Sequence, residues 1–74
     1  MPYIAIKTYP KDEALKQELV EKINDVVMDV VGCPAEAITI SLEEVAPEDW
    51  EAKVKKPEIE TNLDKMMILS GKRK

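Results

Sequence analysis

Apolar and polar positions change their spacing along the chain, and each change marks an element. From Pro2 to Tyr9 they alternate: Pro2, Ile4, Ile6 and Thr8 share one parity, and Tyr3, Ala5, Lys7 and Tyr9 the other, which is the two-residue period of a strand. Both parities carry apolar residues, as in a strand covered on two sides. Pro10 cannot continue a ladder, so this strand is expected over about 2–9. From Leu15 the steps become three and four, through Leu19, Ile23, Val26, Val27, Val30 and Val31, one stripe along a helix over about 12–31. Asp12 is its expected cap and Glu13 suits the first turn. Gly32 and Pro34 end it, giving a helix of about 20 residues and roughly 30 Å.

Alternation returns at Ile38-Thr39-Ile40-Ser41-Leu42 and breaks at Glu43-Glu44, with Val45 out of phase. A second strand is therefore expected over about 38–45, ending or bulging near Glu43 and Glu44. Pro47-Glu48-Asp49-Trp50 reads as a tight turn or short helical start over about 47–53. After a break at Lys55-Lys56-Pro57, Ile59, Leu63, Met66 and Met67 predict a C-terminal helix over about 57–70, ending near Gly71. The second sheet face, with Tyr3, Ala5, Tyr9, Thr39 and Ser41, is the surface left for it.

Strand, long helix, strand is a β-α-β unit, so the fold class is α/β (α+β) with two parallel strands joined by a crossover. The 74 residues form one expected domain, and at this size a single core is marginal. One cysteine excludes an internal disulfide, and the absence of histidine excludes a zinc site of the usual kind. A lone pair of strands also leaves edges unpaired. Pairing across a homodimer cures both defects by forming a four-stranded sheet with two long helices on one face.

Charge and hydropathy narrow the partners. A net charge of −4 argues against a nucleic-acid binder, because phosphate affinity needs a basic face; the basic run at residues 71–74 reads as a solvated end. The aliphatic stretch Met66 to Leu69 is far too short to span a bilayer, and no basic region precedes a long apolar run near Met1. The expected address is the cytoplasm, with no membrane partner.

Candidate chemistry centres on Pro2. If Met1 is removed, as is usual when a small residue follows, Pro2 becomes an amino-terminal secondary amine. No other group here suits general-base work near neutral pH, since histidine is absent and Cys33 has no histidine partner. Apolar burial or nearby cations would bring the amine's pKa toward working pH. The bland alternative is an ordinary proline behind the initiator. Glu43, Glu44, Glu48 and Asp49 read as a solvated rim, since no glycine-rich ligand loop accompanies them, and no metal site is expected. Cys33 reads as a small packing residue.

A Met-Pro start opening a short apolar strand, a helix ended by Gly32 and Pro34, an Ile-Thr-Ile-Ser-Leu strand and then Glu-Val-Ala-Pro-Glu-Asp-Trp (44–50) together resemble the 4-oxalocrotonate tautomerase family, most closely its longer bacterial members. The resemblance implies a β-α-β protomer assembled through its sheets. Its amino-terminal proline moves a proton during keto-enol tautomerisation of a small carboxylic acid, without a cofactor. The long members are dimers in that family, so a homodimer is favoured over a hexamer.

The family's binding residues transfer in part. Its pocket aromatic falls on Trp50, which reads either as an apolar wall near Pro2 or as a packing anchor. The family's first arginine falls in the loop holding Lys11, which offers charge without the two-pronged guanidinium. Lys7 is a competing cation on the parity opposite Pro2. The second arginine falls on Thr39, which offers one hydrogen bond. A dicarboxylate would be held poorly, and a monoacid with an aryl or alkyl group fits better. With both arginines absent, a catalytically quiet dimeric binding module of the same fold is the alternative.

Overall fold

The computed structural model describes residues 2–74; the expected removal of Met1 concerns a residue outside them. Contacts divide the chain into two compact units, the first ending at Glu44 and the second running Val45–Lys74.

In the first unit, β1 (Tyr3–Thr8) leads to α1 (Glu13–Val31), a tight turn at Ala35–Ala37, and β2 (Thr39–Glu44). The strands pair in parallel, Tyr3 opposite Thr39, Ile4 opposite Ile40, Ile6 opposite Leu42 and Thr8 opposite Glu44. Both strands are slightly shorter than the alternation predicts. Pro10 blocks extension of the first, and the phase slip at Val45 coincides with the end of the second.

Both helix caps form where the sequence places them. The Oδ1 of Asp12 accepts the Leu15 N–H at 2.8 Å, satisfying a donor of the first turn. Gly32 closes the other end in the left-handed region (φ 77, ψ 30), its N–H donating to the Met28 carbonyl, a conformation glycine adopts without Cβ strain.

The apolar stripe of α1 is broader than one packing face. Val20, Ile23, Val27 and Met28 are half-buried, as are Ile4, Ile6, Ile40 and Leu42 of the strands, whereas Leu15, Leu19, Val26, Val30 and Val31 are exposed. A helix resting on two strands presents only part of a wide apolar arc to them. On the other sheet face Tyr3 (67% exposed), Ala5, Thr39 and Ser41 are open. Among the described residues only Val45 and Val54, both in the second unit, are buried, each 5% exposed.

The second unit contains the predicted extra C-terminal helix, but its helical path runs over 51–65 where the sequence placed it over 57–70. A tight turn at Pro47–Asp49 precedes a wide helix at Glu51–Ile59, wound with the looser i→i+5 pattern, and a tight helical stretch at Glu60–Lys65. Pro57 lies inside the wide helix and does not open a new one. With no N–H it breaks the regular α ladder at that point. The helical path ends at Lys65; Thr61 Oγ1 and Asn62 Nδ2 donate to the carbonyls of Pro57 and Glu58 at 2.6 and 2.9 Å, and Asn62 leaves helical geometry.

A small hairpin follows. β3 (Ile68–Leu69) pairs antiparallel with β4 (Lys72–Arg73). Ser70 (φ 50) and Gly71 (φ 81) both take positive φ, the requirement of a two-residue hairpin turn whose twist suits its strands. The Lys74 N–H extends the pairing to the Met67 carbonyl at 2.9 Å.

Candidate functional site

Pro2 stands immediately before β1 and is half-buried. Its carbonyl accepts the Thr39 N–H at 3.1 Å, so the position is tied to the first residue of β2. Thr39 is therefore Pro2's neighbour through the backbone. Its side chain shares the exposed sheet face with its register partner Tyr3, while Pro2 has the parity of the half-buried Ile4 and Ile6.

Lys11 lies at the other end of the sheet. It sits in the loop between β1 and α1, and its N–H donates to Glu44 Oε2 at 2.9 Å. Glu44 ends β2 opposite Thr8, the last residue of β1. Six strand residues separate the Pro2 end from the Lys11 end, roughly 20 Å at the usual rise. One copy of the chain thus does not bring Pro2 and Lys11 together. Trp50 is half-buried in the second unit, where it follows the Pro47–Asp49 turn and its N–H donates to the Pro47 carbonyl.

The carboxylates expected to form a solvated rim are mostly engaged. Glu43 faces its register partner Lys7 at 3.6 Å, Glu44 pairs with Lys16 at 3.4 Å, and Asp49 pairs with Lys53 at 3.8 Å. The Lys11 N–H and, next, Lys16 hold the Glu44 carboxyl below the usual carboxylate value, against some desolvation. Glu13, 3.3 Å from Lys16, is the main cause holding that ammonium above its ordinary value, with Glu44 adding to it. Among the described residues no three metal-ligating side chains are drawn together.

Beside this cluster runs an open groove of about 320 Å³ between α1 and β2, lined by Lys16, Val20 and Leu42 among others. Pro2 is not among its lining residues. The involvement of Glu44 and Lys16 goes beyond the sequence reading, which left Glu44 in the rim. The one local signal was the phase slip at Val45, which marks the residue before it as the strand's end.

The family described as Tautomerase enzyme matches residues 2–58, more than half of the chain and beginning at the proline. The chain belongs to the tautomerase family. Its tautomerase relatives include a probable tautomerase of Xylella fastidiosa, 34% identical over 72 residues, spanning 96% of this chain and 88% of that protein. Tautomerase PptA of Cronobacter sakazakii is 31% identical over 73 residues, 96% of each chain. A PptA of Escherichia coli O127:H6 is 39% identical over 54 residues, 70% of this chain and 72% of that one. Membership in the tautomerase family carries an isomerase-type activity at family level. The parallel β-α-β unit is consistent with its fold.

Proposed function

We propose that this chain is a cofactor-independent keto-enol tautomerase of a small enol or 2-oxo carboxylic acid, with the amine of a processed Pro2 as general base. The observation that carries the reading is Pro2 itself: the family match opens on it, and the Thr39 N–H holds its carbonyl at the head of the sheet. Removal of Met1 converts its nitrogen from an amide into an amine with a lone pair. That amine takes a proton from the enol oxygen, or from the carbon beside the carbonyl, and returns it to the other atom. Desolvation keeps the amine neutral and ready to accept.

The proposed working unit is a homodimer. Support comes from a sheet of only two strands among the described residues, from a first unit in which no described residue is buried, and from exposed apolar side chains on α1 and Tyr3. An antiparallel pairing of sheets sets the head of one β1 near the tail of its partner's strand. Lys11 of one protomer then serves Pro2 of the other, drawing in the substrate carboxylate as a point charge. No helix among the described residues is long and apolar enough to cross a membrane; a cytoplasmic address belongs to the proposal and does not follow from that.

Ketonisation of phenylenolpyruvate, a monoacid, by mature protein and by Pro2→Ala tests the proposal; equal rates overturn it, and 2-hydroxymuconate, a dicarboxylate, is expected to be the poorer substrate. The second reading, a catalytically quiet dimeric binding module, draws on the separation of Lys11 from Pro2 and on the exposed position of Thr39. It gains if Pro2 titrates like an ordinary prolyl amine by nitrogen-15 NMR.

A further inference from the structure

We infer that Glu44 is a positioning residue for substrate binding, fastening the loop that presents Lys11. The inference rests on the proposed role of Lys11 and deepens it. The loop leaves β1 after Thr8 and enters α1 at Asp12, and Pro10 within it has no N–H to give. Lys11 does donate, to the Oε2 of a residue 33 positions away. That carboxylate stands at the end of β2 in register with Thr8, so the contact ties the loop back to the sheet from which it departs.

A carboxylate beside an anion-binding lysine would ordinarily repel the substrate. The same Oε2 atom lies 3.4 Å from Lys16 Nζ, and Lys16 is the more enclosed partner, its side chain 20% exposed. Glu44 thus offers the Lys11 N–H a strong acceptor while Lys16 offsets its charge. The mechanical and electrostatic parts can be separated. Glutamine keeps an oxygen acceptor and removes the charge; alanine removes both.

Steady-state kinetics with phenylenolpyruvate on processed protein test this, using Glu44→Ala, Glu44→Gln, Lys11→Ala and the Lys11→Ala/Glu44→Ala double variant. Glu44→Ala is expected to raise KM roughly three- to tenfold, the scale of one hydrogen bond, with kcat within about twofold of wild type. Glu44→Gln restores KM, and Glu44→Ala adds nothing once Lys11 is alanine. Amide exchange at Lys11 accelerates in Glu44→Ala and not in Glu44→Gln. Unchanged KM, equal KM shifts in the alanine and glutamine variants, or an undiminished shift in the Lys11→Ala background overturns the inference. Full turnover by Pro2→Ala would sink the base assignment and leave these KM comparisons intact. Should wild type show no turnover, the same comparison is read as Kd for phenylpyruvate by calorimetry, and absence of binding overturns both ideas.

Discussion

The Thr39 N–H donates to the Pro2 carbonyl at 3.1 Å, so the residue proposed as base is held by the backbone of the opposite strand. The donor survives any side-chain exchange at position 39 except to proline. Pro2→Ala is expected to lower kcat/KM about 10²- to 10⁴-fold, the usual worth of a positioned general base, whereas Thr39→Ala should cost less than about tenfold, the scale of one hydroxyl contact. Ketonisation assays on protein whose intact mass shows Met1 removed check both. The same species carrying Met1 should be as slow as Pro2→Ala.

The cluster at the other end of the sheet predicts a pH response. Glu44 has its folded-state pKa lowered, so its contribution to stability is present above the unfolded value of about 4.5 and is lost as pH falls through the lower folded value. Lys16 is raised; its contribution is present below about 10.5 and lost as pH climbs past the folded value. Thermal melts between pH 6 and pH 3 should therefore show a larger fall in Tm for wild type than for Glu44→Gln. Equal falls would remove Glu44 from the acid response.

Two caps hold the long helix, and each can be removed singly. Asp12→Ala deletes the acceptor for the Leu15 N–H and should cost about 1 kcal/mol. Gly32→Ala meets no atom within 4 Å, so its cost is the left-handed backbone alone, about 1–2 kcal/mol. Urea denaturation measures both. Gly32→Asn should cost less than Gly32→Ala, because asparagine tolerates this conformation better.

If two copies share each active site, inactive variants should complement. Pro2→Ala lacks the base and Lys11→Ala weakens the carboxylate contact, yet a mixed dimer regains one site with both residues native. Co-refolded variants should exceed the sum of their separate activities. Val30, 76% exposed on α1, offers a companion probe: where an apolar residue meets a partner, Val30→Asp should shift sedimentation toward the monomer.

The first unit was legible because its signals are local and redundant. The two periods, Asp12, Gly32 and Pro10 each point to the same β-α-β path. The second unit was harder because single residues there admit two local structures. Pro57 fits a first helical turn but lies within a helix, and Gly71 fits a helix terminator but forms a hairpin turn with Ser70. The Ser-Gly pair between Ile68-Leu69 and Lys72-Arg73 was the available sign. Pro2 stood out from its chemistry and the resemblance. The Glu44 contact could not, since it lies 33 positions from Lys11 and no pattern of spacing encodes which carboxylate a distant N–H will meet.

β1 also acts as a ruler. Its six residues set the span between the Pro2 end and the loop carrying Lys11, and in an antiparallel assembly that span decides how far each chain must slide along the other for the two residues to meet. Inserting two residues into β1 would preserve every side chain's face while lengthening the ruler by roughly 7 Å. Under the proposed pairing, a change that leaves the fold's alternation untouched would put Pro2 and Lys11 out of each other's reach, so the proposal makes strand length a functional constraint.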